Sequence, residues 1–410
     1  MNARLLATEI VKILTDAGYI AYFAGGWVRD YLLGVVSDDI DIATNAPPES
    51  ILALFPQTIL VGLSFGVVIV VHHGHQFEVA TFRRDKEYID GRKPSSIEFS
   101  TPEADASRRD FTINGMFYDP LEDAIYDYVH GRKDLTERMI RTIGDPYARF
   151  NEDRLRMVRA IRFSARFGFV VDPETQEAIV ANADSLFPAV AMERIWQEFV
   201  KMVKYPNFDH ALIEMHRLNL LPIIFPQLNN VHLNDIKLRV AYIPKFPKNM
   251  PTLWYLMELF PGISFEEIEE LSGYLHTSKK EMRLAMFLAT VRAQVQSEGG
   301  TSFDRIAWTY LYAHPASDLA LQLIGLRLPA PAEFFEVHHK RIKLLTKHIE
   351  RHKRKLPLVN AMKLQEYGIA PGIQMGLLLK EAERLAILHD CQEAGQVIVM
   401  LRQTPQWIYQ

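Results

Sequence analysis

Cysteine is almost absent from this chain of 410 residues, which contains only Cys391. A single cysteine cannot form a disulfide within the chain, so we expect a reducing compartment and a cytoplasmic location. Long hydrophobic runs are also missing, because the longest, around residues 67–71, is far shorter than the ~18 residues that a membrane span needs. The N-terminal segment lacks the apolar core and cleavage site of a signal peptide. We therefore expect no membrane association.

An excess of positive charge is missing as well, since 46 Lys and Arg face 50 Asp and Glu for a formal net charge of -4. This total would argue against a nucleic-acid partner if the charges were evenly spread. They are not: residues 132–166 contain ten basic and five acidic residues, and residues 340–355 contain eight and one. Two basic surfaces in an acidic background would guide a polyanion along a defined path.

The hydrophobic pattern changes along the chain. Up to about residue 125 it predicts mixed helices and strands, including strands at 19–23, 67–72 and 76–82, the last two joined as a hairpin by His73-Gly74. After residue 144 apolar residues recur every three or four positions and strand patterns nearly vanish. We predict an α+β fold in which a mixed head is followed by an all-helical remainder.

The strongest local pattern is a glycine turn followed by paired acids. Gly25 and Gly26 lie between a predicted strand and a predicted helix, where the backbone can approach phosphates closely, and Arg29 follows one turn later. Asp39 and Asp41 alternate along the next predicted strand and so share a face. Adjacent carboxylates repel unless a cation lies between them, and Mg²⁺ prefers such ligands. A tight turn beside a solvated acidic loop is the alternative.

A second group, residues 108–114, combines Arg109, Asp110 and Asn114. Arginine suits phosphate, whereas aspartate and asparagine suit ribose hydroxyls. The alternative is the capped, salt-bridged start of a helix.

A third group lies on a helix that we predict over residues 152–166. Arg156, Arg159, Arg162 and Arg166 fall on one face of it, and Asp153 lies one turn before Arg156. Cytosine and adenine each carry an amine beside a ring-nitrogen acceptor, so a fixed Asp–Arg pair would select them over uracil and guanine. The alternative is a core helix with a solvated basic face.

A fourth group is a basic helical face far from the others, which suits a long polyanion such as RNA, although charged faces are often merely solvated. Its members are Lys340, Lys343, Lys347, Arg351 and Arg354.

Two further features stay open. His72, His73 and His75 form a histidine-rich turn, but no cysteine or further ligand accompanies them in the sequence, which favours ordinary surface histidines over a metal site. Glu78 is a candidate third carboxylate beside Asp39 and Asp41.

Taken together, the motifs resemble the class II tRNA nucleotidyltransferases, or CCA-adding enzymes, which share their fold with bacterial poly(A) polymerases. The resemblance rests on five ordered motifs in the first half and, more weakly, on residues 368–372 near the tail. The five are 25–41, 108–114, 127–135, 152–156 and 193–198. It implies a polymerase-β-like head at residues 1–140, a neck at 141–210, a body at 211–330 and a basic tail at 331–410.

The resemblance also implies the chemistry. Asp39 and Asp41 would hold two Mg²⁺ ions, CTP and ATP would be the substrates, and the 3′ end and acceptor stem of tRNA would be the partner, with no obligatory protein partner. The expected nucleotide-binding residues are Gly25, Gly26, Arg29, Arg109, Asp110, Asn114, Asp153, Arg156, Arg159 and Arg162.

Alternatives remain within and outside this class. Poly(A) addition or addition of A alone is the first. Leu63 and Ser64 stand where poly(A) polymerases have basic residues, which favours tRNA over poly(A) activity. The loop motif at 83–94, which enzymes that add only C lack, is intact, so we expect A addition to be retained. An inactive RNA-binding or chaperone protein that keeps the fold is the second, and the intact Asp39 and Asp41 argue against it.

Overall fold

A computed structural model of the protein describes residues 2–60, 65–86, 96–298 and 303–408. The chain divides into two compact units, residues 1–244 with 274–276 and residues 245–273 with 277–410. This division coincides with none of the boundaries expected at 140, 210 and 330, so the four-part organisation stays a prediction.

The head of the first unit contains a seven-stranded mixed sheet with the strand order β3-β4-β5-β2-β1-β8-β9, in which only β2 and β5 pair in parallel. Two further pairs, β6–β7 and β10–β11, lie outside it. The strands are β1 (Ala21–Ala24), β2 (Asp41–Thr44), β3 (Thr58–Ile59), β4 (Val67–His72), β5 (His75–Thr81), β6 (Arg83–Asp85), β7 (Ile97–Phe99), β8 (Met116–Asp119), β9 (Ala124–Asp127), β10 (Met139–Ile140) and β11 (Val170–Val171).

The predicted hairpin is confirmed. Strands β4 and β5 pair in antiparallel register around His73-Gly74, and their alternate side chains Val68, Val70, Phe77 and Val79 are buried. Because strand residues alternate between faces, this alternation fixes which side of the hairpin faces the core.

Helices cover the sheet and form the rest of the first unit. They are α1 (Ala3–Asp16), α2 (Gly26–Leu32), α3 (Pro48–Leu54), α4 (Pro102–Ser107), α5 (Gly131–Glu137), α6 (Pro146–Glu152), α7 (Leu155–Phe167), α8 (Pro173–Asn182), α9 (Leu186–Ala189), α10 (Met192–Met202), α11 (Phe208–Arg217), α12 (Leu220–Ile224) and α13 (Leu233–Val240). Helix α7 packs against α10 and α11 through buried apolar residues that include Met157, Val158 and Ile161.

One predicted helix is corrected, and the helical alternative for a second segment is excluded. The segment 152–166 is not one helix, because α6 ends at Glu152 and the extended backbone of Asp153 separates it from α7. Residues 108–114 do not begin a helix either: α4 ends before Arg108, and a 3₁₀ turn occupies Thr112–Asn114.

The described residues of the second unit form helices and short 3₁₀ turns and no β-strand. Helix α17 packs against α19 and α21, with Trp308 fully buried. None of the helices in the described ranges has the length and apolar character that crossing a bilayer requires. The helices are α14 (Thr252–Leu256), α15 (Phe265–Tyr274, whose last residue groups with the first unit), α16 (Lys279–Ser297), α17 (Arg305–Ala313), α18 (Ser317–Gly325), α19 (Pro331–Arg354), α20 (Ala361–Gln365), α21 (Ile373–Leu388), α22 (Ala394–Leu401) and α23 (Pro405–Ile408).

Candidate active site

An open cavity of about 480 Å³ in the first unit brings three of the predicted groups together. Gly25, Gly26 and Asn114 form part of its wall. The charged residues that line it are eight arginines, at 29, 108, 109, 156, 159, 162, 166 and 194, and three aspartates, at 41, 110 and 153. A concave surface with this excess of guanidinium groups suits a highly charged anion.

The glycine turn has a steric cause. Gly25 follows the last residue of β1 and has a φ of 65°, a conformation that favours glycine. Its amide donates to the Met116 carbonyl over 3.1 Å. A Cβ at this position would lie 2.6 Å from Nη1 of Arg109. A side chain here would therefore displace an arginine that lines the cavity.

The acidic edge of the site lies where β2 begins. Asp41 is the first residue of β2 and Asp39 precedes the strand, while the parallel pairing of Ile42 with Val79 on β5 places Glu78 beside Asp41. The Asp41 carboxylate reaches the cavity, but the protein around it limits its hydration. Although Asp41 is exposed at the cavity, this desolvation, with the charges of Glu78 and Asp39, raises the pKa of Asp41 from 3.8 to about 6 against the opposing charge of Arg109.

This donor set fits a hard divalent cation. Asp39 and Glu78 lie close enough to Asp41 for their negative charges to add to the desolvation that raises its pKa. Oxygen-only ligands are those that Mg²⁺ prefers. Asp39 and Asp41 are the residues that would hold it, with Glu78 as a candidate third ligand.

Arg29 is held from two sides. It is only 3% exposed, its Nε donates to Asp30 over 2.9 Å, and its Nη1 donates to the Asn114 side-chain oxygen. Burial lowers the pKa of Arg29 despite the opposing charge of Asp30. Asp30 also accepts from Arg166 over 2.8 Å, so one buried acid orients two arginines of the cavity.

Asp105, which the sequence reasoning missed, anchors two more arginines. It is 2% exposed and accepts from Arg108 over 2.7 Å and from Arg109 over 3.0 Å. The available signal was the helical spacing of three and four residues from Asp105 to Arg108 and Arg109. Burial would raise the pKa of Asp105, but the charges of Arg109 and Arg108 hold it below its ordinary value.

Asp110 and Asn114 link Arg29 on α2 to Arg159 on α7 through hydrogen bonds. Asp110 accepts from Arg159 over 2.5 Å and from the Asn114 amide over 3.0 Å. Burial would raise the pKa of Asp110, but Arg159 and these hydrogen bonds hold it well below its usual range. In this structure the two residues orient arginines, and their contact with ribose hydroxyls stays a prediction.

The basic face of α7 is not simply solvated. Arg156 and Arg162 are 9% and 7% exposed. Arg162 donates to Glu198 on α10 over 2.5 Å, and Arg156 donates to Glu152 over 2.5 Å. Each arginine that we predicted on this face thus forms an ion pair with a carboxylate. The ion pair fixes the position of the guanidinium before a ligand binds.

The predicted direct pairing of Asp153 with Arg156 is not present, although both side chains line the cavity. Asp153 accepts from the Leu155 amide over 3.1 Å and from Arg194 over 2.8 Å. The cause is the break between α6 and α7, which takes Asp153 out of the helix that carries Arg156. Arg194 also has a buried Nη1 without a hydrogen-bond partner among the described residues.

Comparison with known proteins decides the family. The chain is 31% identical to a CCA-adding enzyme of Streptococcus pneumoniae over 389 residues, which cover 92% of this chain and 91% of that protein. The chain belongs to the CCA-adding enzyme family. Residues 21–141 match the model of the Poly A polymerase head domain, and residues 168–231 match the "Probable RNA and SrmB- binding site of polymerase A".

Other CCA-adding enzymes give matches of different extent. A relative from Geobacillus sp. (strain WCH70) is 45% identical over 207 residues, half of this chain, and the aligned part spans 51% of the relative's length. The structure of the Bacillus stearothermophilus CCA-adding enzyme in complex with CTP is similar over 98% of both chains, with a TM-score of 0.71 and 26% identity. The α+β fold with a nucleotidyltransferase head is thereby confirmed.

The basic helix α19 of this CCA-adding enzyme family member is partly as predicted. Lys340, Lys343, Lys347 and Arg354 are exposed. Arg351 is a correction: it is half-buried and donates to His348 over 2.8 Å and to the Cys391 carbonyl over 3.2 Å. It therefore braces the fold instead of extending the exposed basic face.

Two predictions fall outside the part of the chain that the structure describes. Leu63 and Ser64, taken as signs against poly(A) addition, lie in the undescribed segment 61–64, and residues 87–95 include most of the loop motif. The described start of that motif holds an ion pair between Arg83 and Asp85 at 3.1 Å.

Proposed function

We propose that this protein adds C, C and A to the 3′ end of tRNA from CTP and ATP by two-metal nucleotidyl transfer, in the cytoplasm. The observation that carries the proposal is the cavity in which Asp41, the glycine turn, anchored arginines and Asp153 meet, with Asp39 and Glu78 close enough to Asp41 to raise its pKa. The names of the full-length S. pneumoniae relative and of the CTP-bound structure support it.

The carboxylate edge supplies the catalytic centre. Asp39 and Asp41 would hold two Mg²⁺ ions, which when bound activate the RNA 3′-hydroxyl and stabilise the pyrophosphate leaving group. Glu78 beside Asp41 adds negative charge that strengthens cation binding. The role of the protein is to hold these oxygens close together although they repel each other.

The glycine turn and the arginines position the triphosphate. Gly25 and Gly26 leave room for a phosphate against the backbone, while Arg29 and Arg109 provide guanidinium groups whose orientation is fixed by Asp30 and Asp105. Because these arginines are held before binding, little side-chain entropy is lost when the nucleotide arrives.

Asp153 and Arg156 read the base. Arg156 uses three of its five N–H donors within the described residues, on Glu152 and on the carbonyls of Arg149 and Arg108, which leaves two for a ligand. A carboxylate that accepts from the base amine and a guanidinium that donates to the ring nitrogen match C and A. Arg194 keeps Asp153 in place for this role.

The exposed cations of α19 contact the RNA. Lys340, Lys343, Lys347 and Arg354 carry the charge that binds a phosphate backbone without reading its sequence. We assign the tRNA acceptor stem as their partner.

The test is incorporation by the purified full-length protein. Transcripts of tRNA that lack CCA should gain C, C and A and then stop, and transcripts that lack only the final A should gain A alone. An unstructured RNA of the same length is the control and should be a poor substrate.

Other outcomes would replace the proposal. Long A tails on the unstructured RNA without C incorporation indicate a poly(A) polymerase, and A addition only to transcripts that end in CC indicates an A-adding enzyme. RNA binding without incorporation of any nucleotide indicates an inactive RNA-binding protein.

A further inference from the structure

A histidine-rich turn lies at the tip of the β4–β5 hairpin, away from the residues that line the cavity. His73 and Gly74 have φ angles of 47° and 78°, so both turn residues adopt the left-handed conformation. Histidine, like Asn and Asp, tolerates this conformation better than most side chains, and His130 and His276 adopt it elsewhere in the chain. The turn places the two adjacent imidazoles of His72 and His73 at the end of the hairpin.

A third side chain reaches this turn from helix α1. Glu9 lies on the exposed face of α1, between the buried residues Leu6 and Ile10. Its Oε2 is 2.8 Å from Nε2 of His72. The ring centroids of His72 and His73 are 4.6 Å apart, and one ligand atom from each of Glu9, His72 and His73 lies within 4.8 Å of the others.

We propose that Glu9, His72 and His73 form a binding site for a transition-metal ion of the Zn²⁺ type. Two imidazoles and one carboxylate are ligands that Zn²⁺ accepts, whereas Mg²⁺ prefers oxygen alone. The site is thereby chemically distinct from the carboxylate edge at Asp39 and Asp41. Three protein ligands leave a fourth position for water.

The arrangement requires little movement. A hydrogen bond of 2.8 Å already brings Glu9 and His72 together, and a bound ion would replace the shared proton with only a slight widening of this contact. His73 is exposed, so its ring can rotate to complete the set. A bound ion would cross-link helix α1 to the β4–β5 hairpin, two elements 63 residues apart in sequence, and so stabilise the folded head.

The test is binding of Zn²⁺ and Co²⁺ to the metal-free full-length protein, measured by calorimetry and by the visible absorption of Co²⁺. The metal-binding and melting measurements use the Asp39→Ala/Asp41→Ala variant as the parent, so that binding at the carboxylate edge does not contribute. The parent should bind one ion, and Glu9→Gln, His72→Ala and His73→Ala should each weaken binding at least tenfold. His339→Ala, which removes an exposed histidine on α19, is the matched control and should bind as the parent does.

Melting temperature gives a second reading. Zn²⁺ should raise it in the parent and in His339→Ala but not in the three site variants. In the otherwise unmutated protein, His72→Ala should leave Mg²⁺-dependent nucleotide incorporation unchanged, which separates this site from the proposed function. No Zn²⁺ binding by the parent, or parental affinity in all three site variants, would overturn the proposal.

Discussion

Two basic helices, α7 and α19, look alike in the sequence and differ in the folded protein. On α7 the arginines line a cavity, and Arg156, Arg159, Arg162 and Arg166 each contact a carboxylate of another segment or of the preceding helix. On α19, within the part of the chain that the structure describes, the ion pairs of the exposed Lys340 and Arg354 are with Glu336 and Glu350 of their own helix.

The difference separates recognition from attraction. Buried ion pairs fix a guanidinium in place, at a desolvation cost, and so suit a ligand whose atoms must be positioned. Exposed lysines remain solvated and mobile, and they suit a long polyanion that is held by its total charge. Five predictions test this contrast, from the largest expected effect to the smallest.

The carboxylate edge gives the largest effect. Replacing Asp39 and Asp41 together with Ala should lower nucleotide incorporation at least about 10³-fold, because several kcal/mol of metal stabilisation is lost. Binding of tRNA, measured by filter retention, should stay within about twofold because α19 is untouched. Asp38→Ala, at the neighbouring exposed acid, should retain activity; a comparable loss there would contradict the assignment.

Removing the charge of a buried carboxylate that pairs with an arginine of α7 should lower the free energy of unfolding. Removing the charge of an exposed carboxylate that pairs with a lysine of α19 should lower it less. Glu198→Gln leaves Arg162 buried without its counter-charge and should cost about 3 kcal/mol of unfolding free energy. Glu336→Gln, the matched change on α19, should leave the free energy of unfolding unchanged, because both partners of this ion pair are exposed to solvent. Urea unfolding measures both, and equal costs would remove the contrast between the helices.

Nucleotide choice should depend on the cavity alone. Asp153→Ala or Arg156→Ala should reduce discrimination between CTP and UTP by about a hundredfold, since a paired hydrogen-bonding site is lost. Arg154→Ala is the control, because Arg154 bonds to Asn151 and Ser185 and does not line the cavity. Steady-state kcat/KM for each nucleotide decides; unchanged selectivity in both site variants would reject the base-reading role.

The pH dependence of metal binding follows from Asp41. Its pKa is raised to about 6, so below pH 6 a proton occupies the carboxylate and must be displaced by the cation. Affinity for Mn²⁺, measured by calorimetry, should rise up to about tenfold per unit between pH 5 and 6 and level off above pH 7. The Asp41→Asn variant should lose this dependence; a flat profile in the unmutated protein would contradict metal binding by an Asp41 carboxylate of raised pKa.

The exposed face of α19 should give the smallest effect. Replacing Lys343 and Lys347 with Ala should weaken tRNA binding a few-fold and reduce the slope of log affinity against log salt by about 1 to 2. Arg351→Ala should instead lower stability and leave the slope unchanged, because Arg351 bonds to Cys391 and His348. The same salt effect in both would mean that Arg351 also faces the RNA.

The sequence predicted what depends on local spacing. The β4–β5 hairpin, the glycine turn before α2 and the arginine face of α7 all follow from residues close together in the chain. The break at Asp153 did not, because the hydrophobic and charge periodicity continues across it while the backbone does not.

Partners distant in sequence could not be predicted. The spacing of Asp105 from Arg108 and Arg109 was visible in the sequence, but its burial was not, since burial is decided by packing with distant residues. Glu9 meets His72 only because α1 lies beside the hairpin, which turned a histidine cluster without a further ligand into one with an acid beside it. Arg351 belongs to the basic arc by spacing, but its contacts with Cys391 and His348 were invisible in the sequence.

A crystal structure of the protein with CTP and Mn²⁺ tests the division of labour most directly. We expect anomalous density for Mn²⁺ at Asp39 and Asp41, the triphosphate beside Gly26, and the cytosine edge facing Asp153 and Arg156. Cytosine bound away from these two residues, or Mn²⁺ away from the two aspartates, would contradict the assignment of the cavity as the site that selects and transfers the nucleotide.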